Sequence, residues 1–402
     1  MMFEMKYISK IITIAFVALL TITPYKASAT IVEGEVNSSK ELQAFIMHHV
    51  SDAHSWHIWG EDSTVIHPDG TIDIIDSSSM HVGLPIILVD GGLVTGNSHS
   101  FDQIKLAVWE KSDSNGIVLR DSLGVALEND SSYYAIGTIA GNKYLLFHEK
   151  IYRFENGLAF DEEGHLLNSR PLDFSLTQNV MSMLLSVFIL LVLFLPAARK
   201  YKKQGINSAP KGKQNLLEVF VLFVRDEIAI PNIGEKKYAK YMPYLLTAFF
   251  FIWLNNLIGL VPFFPGASNV SGNFAFTVVL SVFTYLVTQF SGNKDYWKHV
   301  FLPPVPKALY PIMIPVEIIG TLTKPFALTI RLFANITAGH IVVLAFMGVI
   351  FATKSIAWSG LSVPMGLFIG TLELLVAFLQ AFIFTMLSAL FIGTAVEEHD
   401  HH

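Results

Sequence analysis

The sequence predicts an all-α polytopic membrane protein with five membrane-spanning helices, an interfacial helix and, at its N-terminal side, an exported, mostly β domain. Two observations predict this fold class. Of the 402 residues, 52% are hydrophobic and only 15% are charged, a composition more apolar than that of most soluble domains. Uncharged apolar segments of about 20 residues, long enough to cross a bilayer, fill much of the chain after Pro171.

Composition also excludes several kinds of site. The chain contains no cysteine, which excludes disulfides, thiolate metal ligands and thiol nucleophiles. Its net charge of −6 gives no indication of nucleic-acid binding, for which a basic surface is typical. We therefore expect no cofactor and no nucleic-acid partner.

Residues 1–29 have the pattern of an export signal. Lys6 and Lys10 precede the apolar run Ile11–Leu20, and Ala27-Ser28-Ala29 supplies small residues for cleavage. The alternative is an uncleaved first anchor. Residues 30–170 alternate between apolar and polar positions and are interrupted by Gly, Asp, Asn and Ser, which predicts a small exported domain, mostly β.

The exported domain contains nine of the 14 histidines, and several of them cluster between His48 and His57. Imidazoles and a carboxylate are proper zinc ligands, but no signature spacing such as HExxH occurs. Metal binding therefore remains an alternative to ordinary surface and core use and to contact with another subunit or the membrane. We assign no metal ligand.

The first predicted span is the uncharged run Val180–Ala198. A basic cluster follows it directly, and because such clusters stay in the cytoplasm, we expect the preceding domain to be periplasmic. Leu216–Ile230 mixes apolar and charged residues, which predicts a helix on the inner surface. The basic residues of the cluster are Arg199, Lys200, Lys202, Lys203, Lys211 and Lys213.

The remaining four spans form two hairpins. No Asp, Glu, Lys or Arg occurs between Lys240 and Lys294, and the turn-rich segment Val261–Asn269 divides this run into two spans. After a proline-rich connector, helices are predicted over Val316–Phe351 and Val363–Glu397. Each would be roughly 50 Å long and must tilt, bend or protrude, with Pro325 a candidate kink. Residues 171–402 thus form the membrane domain, with a cytoplasmic C-terminus.

Charged residues are rare in the last two helices. Arg331 costs at least about 2.5 kcal/mol in a bilayer and stays charged at any usable pH, so it requires a partner or a function. A structural salt bridge is the simpler alternative. Residues at equal depth in an antiparallel hairpin have numbers with a constant sum, which pairs His340 with Glu373 toward the outside and Arg331 with Gln380 deeper in the membrane.

A third polar level on the same helix is Glu317, toward the inner face of the membrane. A coupled imidazole and carboxylate exchange protons near neutral pH, whereas a fixed arginine holds a nearby carboxylate in its charged form. Small residues around Arg331, namely Ala327, Ala334, Ala338 and Gly339, allow another helix to approach closely. We therefore expect a mobile partner helix that bears a carboxylate.

Three segments make this chain resemble subunit a of the F-type ATP synthases. They are Arg331-Leu332-Phe333-Ala334-Asn335 with Ala338-Gly339, then Leu379-Gln380-Ala381-Phe382-Ile383-Phe384, and Asn256-Leu257-Ile258-Gly259-Leu260-Val261-Pro262. The resemblance covers about Pro171–Glu398. It implies a stator subunit without catalytic chemistry of its own, in a bacterial inner membrane, that translocates protons between two half-channels.

The resemblance also implies roles for individual residues. Arg331 would face the carboxylates of the rotating c-ring, with Gln380 and Asn335 beside it. His340 and Glu373 would line the outer half-channel together with Asn256, and Glu317 the inner one. Many bacterial members carry the acid and the histidine in exchanged positions. The residues matching Leu257–Val261 include an Asp in some members, which this chain lacks.

The partners implied are the c-ring, subunit b of the peripheral stalk, the rest of the ATP synthase complex and the lipid bilayer. The sequence leaves open whether the ion is H⁺ or Na⁺, because the selecting carboxylate lies on the c subunit; H⁺ is the default. One alternative is a secondary transporter with an intramembrane arginine site, although no internal repeat of spans supports it. Another is an exported binding domain on a membrane anchor, for which one span would suffice.

Overall fold

The protein is described by a computed structural model over residues 52–59, 62–66, 71–77, 80–101, 104–110, 118–119, 131–147, 149–154, 166–204, 212–261, 266, 268–303, 305–306, 309–353 and 359–397. The predicted export signal, His48 and His49 lie outside these residues. Most of the predicted turn between the last two helices, 354–358, also lies outside them.

The described part of the chain before Thr177 consists mainly of antiparallel strands. The strands are β1 Ser55–Trp59, β2 Asp62–Ile66, β3 Thr71–Ser77, β4 Met80–Gly83, β5 Pro85–Val89, β6 Leu93–Asn97, β7 Ile104–Glu110, β8 Val118–Leu119, β9 Ser131–Ile139, β10 Asn142–Phe147, β11 Lys150–Arg153 and β12 Leu172–Asp173. One sheet has the order β11, β10, β9, β7, β3 and β2, with β8 paired to β7; a second has the order β12, β5 and β6, and β1 pairs with β4.

The two larger sheets share one apolar core. In β5 the alternate residues Ile86 and Leu88 are fully buried, and they pack with Ile139 of β9 and Tyr144 of β10. A side chain at Gly96 of β6 would meet Ile139, so the sheets approach closely here. The apolar residues that alternate with polar ones along these strands thus form the buried faces of two packed sheets.

After Thr177 the described chain is helical. The helices are α1 Gln178–Gln204, α2 Lys213–Phe223, α3 Ile230–Ile233, α4 Tyr238–Gly259, α5 Phe274–Ser291, α6 Lys294–Phe301, α7 Tyr310–Thr353 and α8 Ser359–Val396. Five of these described helices are long and apolar enough to cross a membrane: α1, α4, α5, α7 and α8. This agrees with the predicted polytopic membrane protein.

Several helix boundaries differ from those predicted. α7 begins at Tyr310 rather than Val316, because Pro311 lies in its first turn, where the N–H that proline lacks would have no helical partner. The helix also continues through Pro325. The predicted interfacial segment spans α2, a π-helical turn over Val224–Ala229 and α3. The sequence analysis did not predict α6.

The helices pack around a buried aromatic and aliphatic cluster. Leu245, Phe249 and Ile252 of α4 are fully buried and contact Ile392 of α8 and Leu332 of α7. The π-helical turn buries both Ile228 and the adjacent Ala229 in the same cluster. This core fixes α4, α7 and α8, the three helices that carry most of the predicted site.

The β domain is joined to α1 by specific polar contacts. Asp52 Oδ1 accepts a hydrogen bond from the Asn179 N–H at 3.1 Å, and Asp52 Oδ2 accepts one from the Thr177 hydroxyl at 2.9 Å. The Gln178 N–H donates to the Ala53 carbonyl at 2.9 Å. These groups satisfy amides at the start of α1 that a helix leaves without internal partners.

His54 stabilises this junction from within. Its Nε2 lies 3.2 Å from Asp173 Oδ2, its Nδ1 lies 3.9 Å from Glu149 Oε2, and the side chain is only 4% exposed. Burial lowers the pKa of His54, but the hydrogen bond and charge of Asp173 and the charge of Glu149 outweigh it and raise the pKa to about 9. Burial raises the pKa of Asp173, but the hydrogen bonds to His54 and Ser175 lower it to about 2.

We expect the junction to weaken at alkaline pH. Because the folded-state pKa of His54 is above the usual 6.5, its contribution is complete below about pH 6.5 and is lost as pH rises through about 9. The loss is on the order of 3 to 4 kcal/mol, at about 1.4 kcal/mol per pKa unit. Hydrogen exchange of the Gln178 and Asn179 amides in the intact complex, corrected for intrinsic rates, measures it.

The control for this measurement is His99→Gln, which changes an exposed imidazole of the same domain. It should preserve the pH dependence, whereas His54→Leu should abolish it. Equal protection of both amides at pH 6 and pH 9.5 in the unsubstituted chain would contradict the prediction.

Candidate functional site

Arg331 lies on a face of α7 that the rest of the described chain leaves uncovered. Leu328, Leu332 and Ile336, spaced four residues apart, are buried against the helical core, so the opposite face points away from it. Among the described residues, no carboxylate lies within 4.0 Å of the Arg331 guanidinium. The exposed face consists mainly of Ala327, Ile330, Arg331, Ala334, Asn335 and Ala338.

The two amides predicted beside Arg331 have different environments. Gln380 is on α8, which packs against α7, and is only 4% exposed. Asn335 is exposed on α7, one turn after Arg331. Among the described side chains, no hydrogen bond joins Arg331 to either amide. The guanidinium therefore keeps its donors available on the uncovered face.

A cavity of about 320 Å³ opens between α4, α7, α8 and the segment before α5. Asn335 and Glu373 contribute to its wall, so it extends from the level of Glu373 to the turn after Arg331. Its polar lining residues are Asn255, Asn256, Ser268, Asn269, Ser271, Asn335 and Glu373.

Three buried polar atoms at this cavity have no hydrogen-bond partner within the described protein. They are Asn255 Oδ1, Asn269 Nδ2 and Glu373 Oε1. A cavity holds water when it offers about 30 Å³ per molecule and several polar partners. This one has the volume for several water molecules, and it places a few polar side chains in a mainly apolar wall.

Glu373 packs directly against α7. Its Oε1 lies 2.7 Å from the point where a Cβ on Gly339 would be, so a larger residue at this position would displace the carboxylate. Gly339 immediately precedes His340, which brings Glu373 to the level that the hairpin arithmetic predicted for the His340–Glu373 pair. The side chain of His340 is outside the described part of the structure.

The wall of the cavity is fixed by buried hydrogen bonds. Asn256 is 5% exposed; its Nδ2 donates to the Ala377 carbonyl of α8 at 3.3 Å, and its Oδ1 accepts from the Ser271 hydroxyl. The neighbouring Asn255 Nδ2 donates to Ser186 Oγ of α1 at 3.0 Å. Consecutive asparagines thus tie α4 to α8 and to α1.

Near the start of α7, far along the helix from the cavity, Glu317 is partly exposed. His299 Nδ1 of α6 lies 4.0 Å from Glu317 Oε2. Lys324 is half-buried, with its Nζ 5.2 Å above the ring of Phe391 in α8. Glu317, Lys324 and Arg331 recur every seven residues and therefore follow one face of α7.

Sequence reasoning missed Asn255, Asn269, Ser268 and Ser271 as cavity residues. Two consecutive asparagines in an uncharged run were the available signal, because a buried amide needs partners. Nothing in the sequence placed the serines, whose position depends on how the segment before α5 folds back. His299 had no recognisable pattern before α6 was known.

Two family models match this chain, and the boundary between them coincides with the boundary between its β domain and its helical part. Residues 180–393, more than half of the chain, match the family described as ATP synthase A chain. Residues 45–174 match a family described as a domain of unknown function (DUF8433).

Similar proteins carry the name of the same subunit. The chain is 50% identical over 233 residues to ATP synthase subunit a of Chloroherpeton thalassium, covering 57% of this chain and 69% of that protein. It is 48% identical to ATP synthase subunit a 2 of Chlorobaculum tepidum (60% and 69% covered). It is 46% identical to ATP synthase subunit a of Anaeromyxobacter sp. (62% and 64% covered). With its five membrane-crossing helices and matched core segments, the chain belongs to the ATP synthase A chain family.

Proposed function

We propose that Arg331 separates two aqueous half-channels of the ATP synthase membrane sector while a ring of carboxylate-bearing rotor helices passes along its face of α7. Family membership makes the chain the proton-translocating, non-catalytic stator subunit of that sector. The observation that carries the residue-level proposal is the position of Arg331: it is uncovered, has no carboxylate partner among the described residues, and lies one turn from a cavity with polar groups in its wall.

The cavity serves as the outer half-channel. Protons enter through water held by Asn255, Asn256 and the serines, and reach Glu373 in the cavity wall. His340, the residue after Gly339 on α7, would exchange protons with Glu373. A carboxylate in contact with such water can bind and release a proton with each passing rotor site. Asn335 lines the same cavity one turn from Arg331, at the point where the proton leaves for the rotor.

Arg331 prevents a direct passage between the two sides. Its guanidinium is always protonated, so it cannot carry a proton onward. It stabilises the ionised form of a rotor carboxylate opposite it, which that carboxylate must adopt to pass between the half-channels. Gln380 is buried on α8, which packs against α7, and would lie near Arg331 at the same level of the hairpin. With about 2.3 kcal/mol per charge per 100 mV at stake, a leak here would dissipate the driving force.

The inner half-channel begins at Glu317, and protons released there reach the cytoplasm. This orientation follows from the basic residues, which cluster at the α1–α2 connection and at the start of α6. The C-terminus is then cytoplasmic and the β domain, within residues 30–170, is periplasmic. Subunit b of the peripheral stalk would hold this subunit stationary against the c-ring.

Cysteine cross-linking tests the rotor interface, because the chain contains no cysteine of its own. We expect Ala327→Cys and Ala334→Cys, both exposed on the face of Arg331, to cross-link to a single cysteine placed beside the carboxylate of the c subunit. Leu184→Cys, 54% exposed on α1, is the matched control and should not. Equal yields at the three positions, or none at Ala327 and Ala334, would contradict the proposed rotor face.

A further inference from the structure

We propose that His299 is a proton-transferring residue at the mouth of the inner half-channel, working with Glu317. The inference rests on the proposed function and adds a residue to it. The two side chains belong to different helices, α6 and α7, and His299 Nδ1 is 4.0 Å from Glu317 Oε2. A small rotation or one bridging water brings such a pair within hydrogen-bond reach.

The position of His299 is fixed by the way α6 is attached. The Asn293 N–H, immediately before α6, donates to the Ala395 carbonyl at 2.9 Å, and Asn293 Nδ2 donates to the Val396 carbonyl at 2.9 Å. The Lys237 ammonium also donates to the Val396 carbonyl, at 2.7 Å. These bonds cap the free carbonyls at the end of α8 and hold the first turn of α6 in place.

The other end of α6 is held by packing. Val300 is 5% exposed and is the buried residue of this helix, and Trp297 stacks on Phe301 at 5.8 Å. His299, next to Val300, is thereby held at the edge of the bundle. It is 51% exposed, compared with 29% for Glu317. The imidazole thus meets water, while the carboxylate lies further inside.

This graded exposure suits proton transfer between water and the channel. Histidine is the side chain that changes charge between pH 5 and 8, so at an inner surface near neutral pH it can both take up and release a proton. Glu317 lies on the face of α7 that carries Lys324 and Arg331, seven and fourteen residues later and deeper in the membrane. His299 would therefore connect bulk water to the inner end of that face.

The described helices around α6 carry other titratable groups. On α7 they are Glu317 and Lys324, with Tyr310 at the helix start; Glu397 follows α8, and Tyr285 lies on α5. On α6 itself they are Lys294, Asp295, Tyr296 and Lys298. Glu317 is the acid within 4.0 Å of the imidazole among the described residues.

ATP-driven proton uptake in inverted membrane vesicles tests this role, because the inner surface then faces the buffer. We expect His299→Gln to pump at nearly the unsubstituted rate at pH 6.5 and at least about threefold more slowly at pH 8.5, where protons are scarce and a positioned acid–base group matters most. Imidazole added to the buffer should restore the rate, since the site is half exposed.

Three controls make the result decisive, with rates expressed per assembled complex. Lys298→Gln removes an exposed charge beside His299 and should leave the pH profile unchanged. His299→Asn serves as a second variant if His299→Gln does not assemble. Arg331→Gln tests the function itself. Loss of pumping in Arg331→Gln together with an unchanged pH profile in both His299 variants would overturn this inference alone, whereas full pumping in Arg331→Gln would overturn the proposed function.

Discussion

Replacing Arg331 with glutamine should reduce ATP-driven acidification of inverted vesicles by about a hundredfold, the usual scale for removing one fixed electrostatic group from a site. Two effects add. A rotor carboxylate opposite a neutral amide no longer gains from losing its proton. The cavity between α4, α7 and α8, which reaches Asn335 one turn away, is also no longer closed by a fixed charge, so passive proton flow through the membrane sector should rise.

Lys324→Gln is the matched control for Arg331→Gln. It removes another cation from the same face of α7, seven residues toward the inner side, where the ammonium already contacts the Phe391 ring. Its loss should slow pumping far less, because no rotor carboxylate depends on it. If Arg331→Gln pumps as well as Lys324→Gln at equal assembly, Arg331 is a structural charge and the half-channel proposal fails.

Arg331 could be found from sequence because its cost in a bilayer is large and independent of the surrounding structure. The same holds for the spans, which follow from length and hydropathy alone. The pairing of Glu373 with the level of His340 required only that two helices run antiparallel. The close approach of Glu373 to α7 depends in addition on Gly339, a residue that the sequence analysis had interpreted only as part of a small-residue face.

The cavity could not be predicted in this way. Its wall forms only when the segment with Ser268 and Ser271 folds back against α4. It also requires the consecutive residues Asn255 and Asn256 to bond to different helices. Hydrogen bonds to Ser186 and Ala377 decide both orientations, and these residues lie 69 and 121 positions away in the sequence. Local patterns carry no information about such distant partners. α6 was missed for a related reason, because at eight residues it is too short for a clear period.

Replacing Glu373 with glutamine should slow proton pumping by about tenfold or more, since positioned acid–base groups contribute roughly 10²- to 10⁴-fold to proton transfer. The amide keeps the size and the contact with Gly339 but cannot exchange a proton with the cavity water. Gly339→Ala should act in the same direction without removing the acid, because a Cβ would meet Glu373 Oε1 at 2.7 Å and displace it. Vesicle acidification at equal assembly measures both.

A reciprocal exchange distinguishes a proton-carrying pair from two independent groups. Glu373→His and His340→Glu, made separately, each leave two residues of the same kind at one level and should both slow pumping severely. The double variant restores one acid and one imidazole across the hairpin and should recover at least about a third of the unsubstituted rate, because coupled groups show strong non-additivity. A double variant as slow as the product of the two single losses would mean that Glu373 and His340 act separately, and the outer half-channel would then depend on the carboxylate alone.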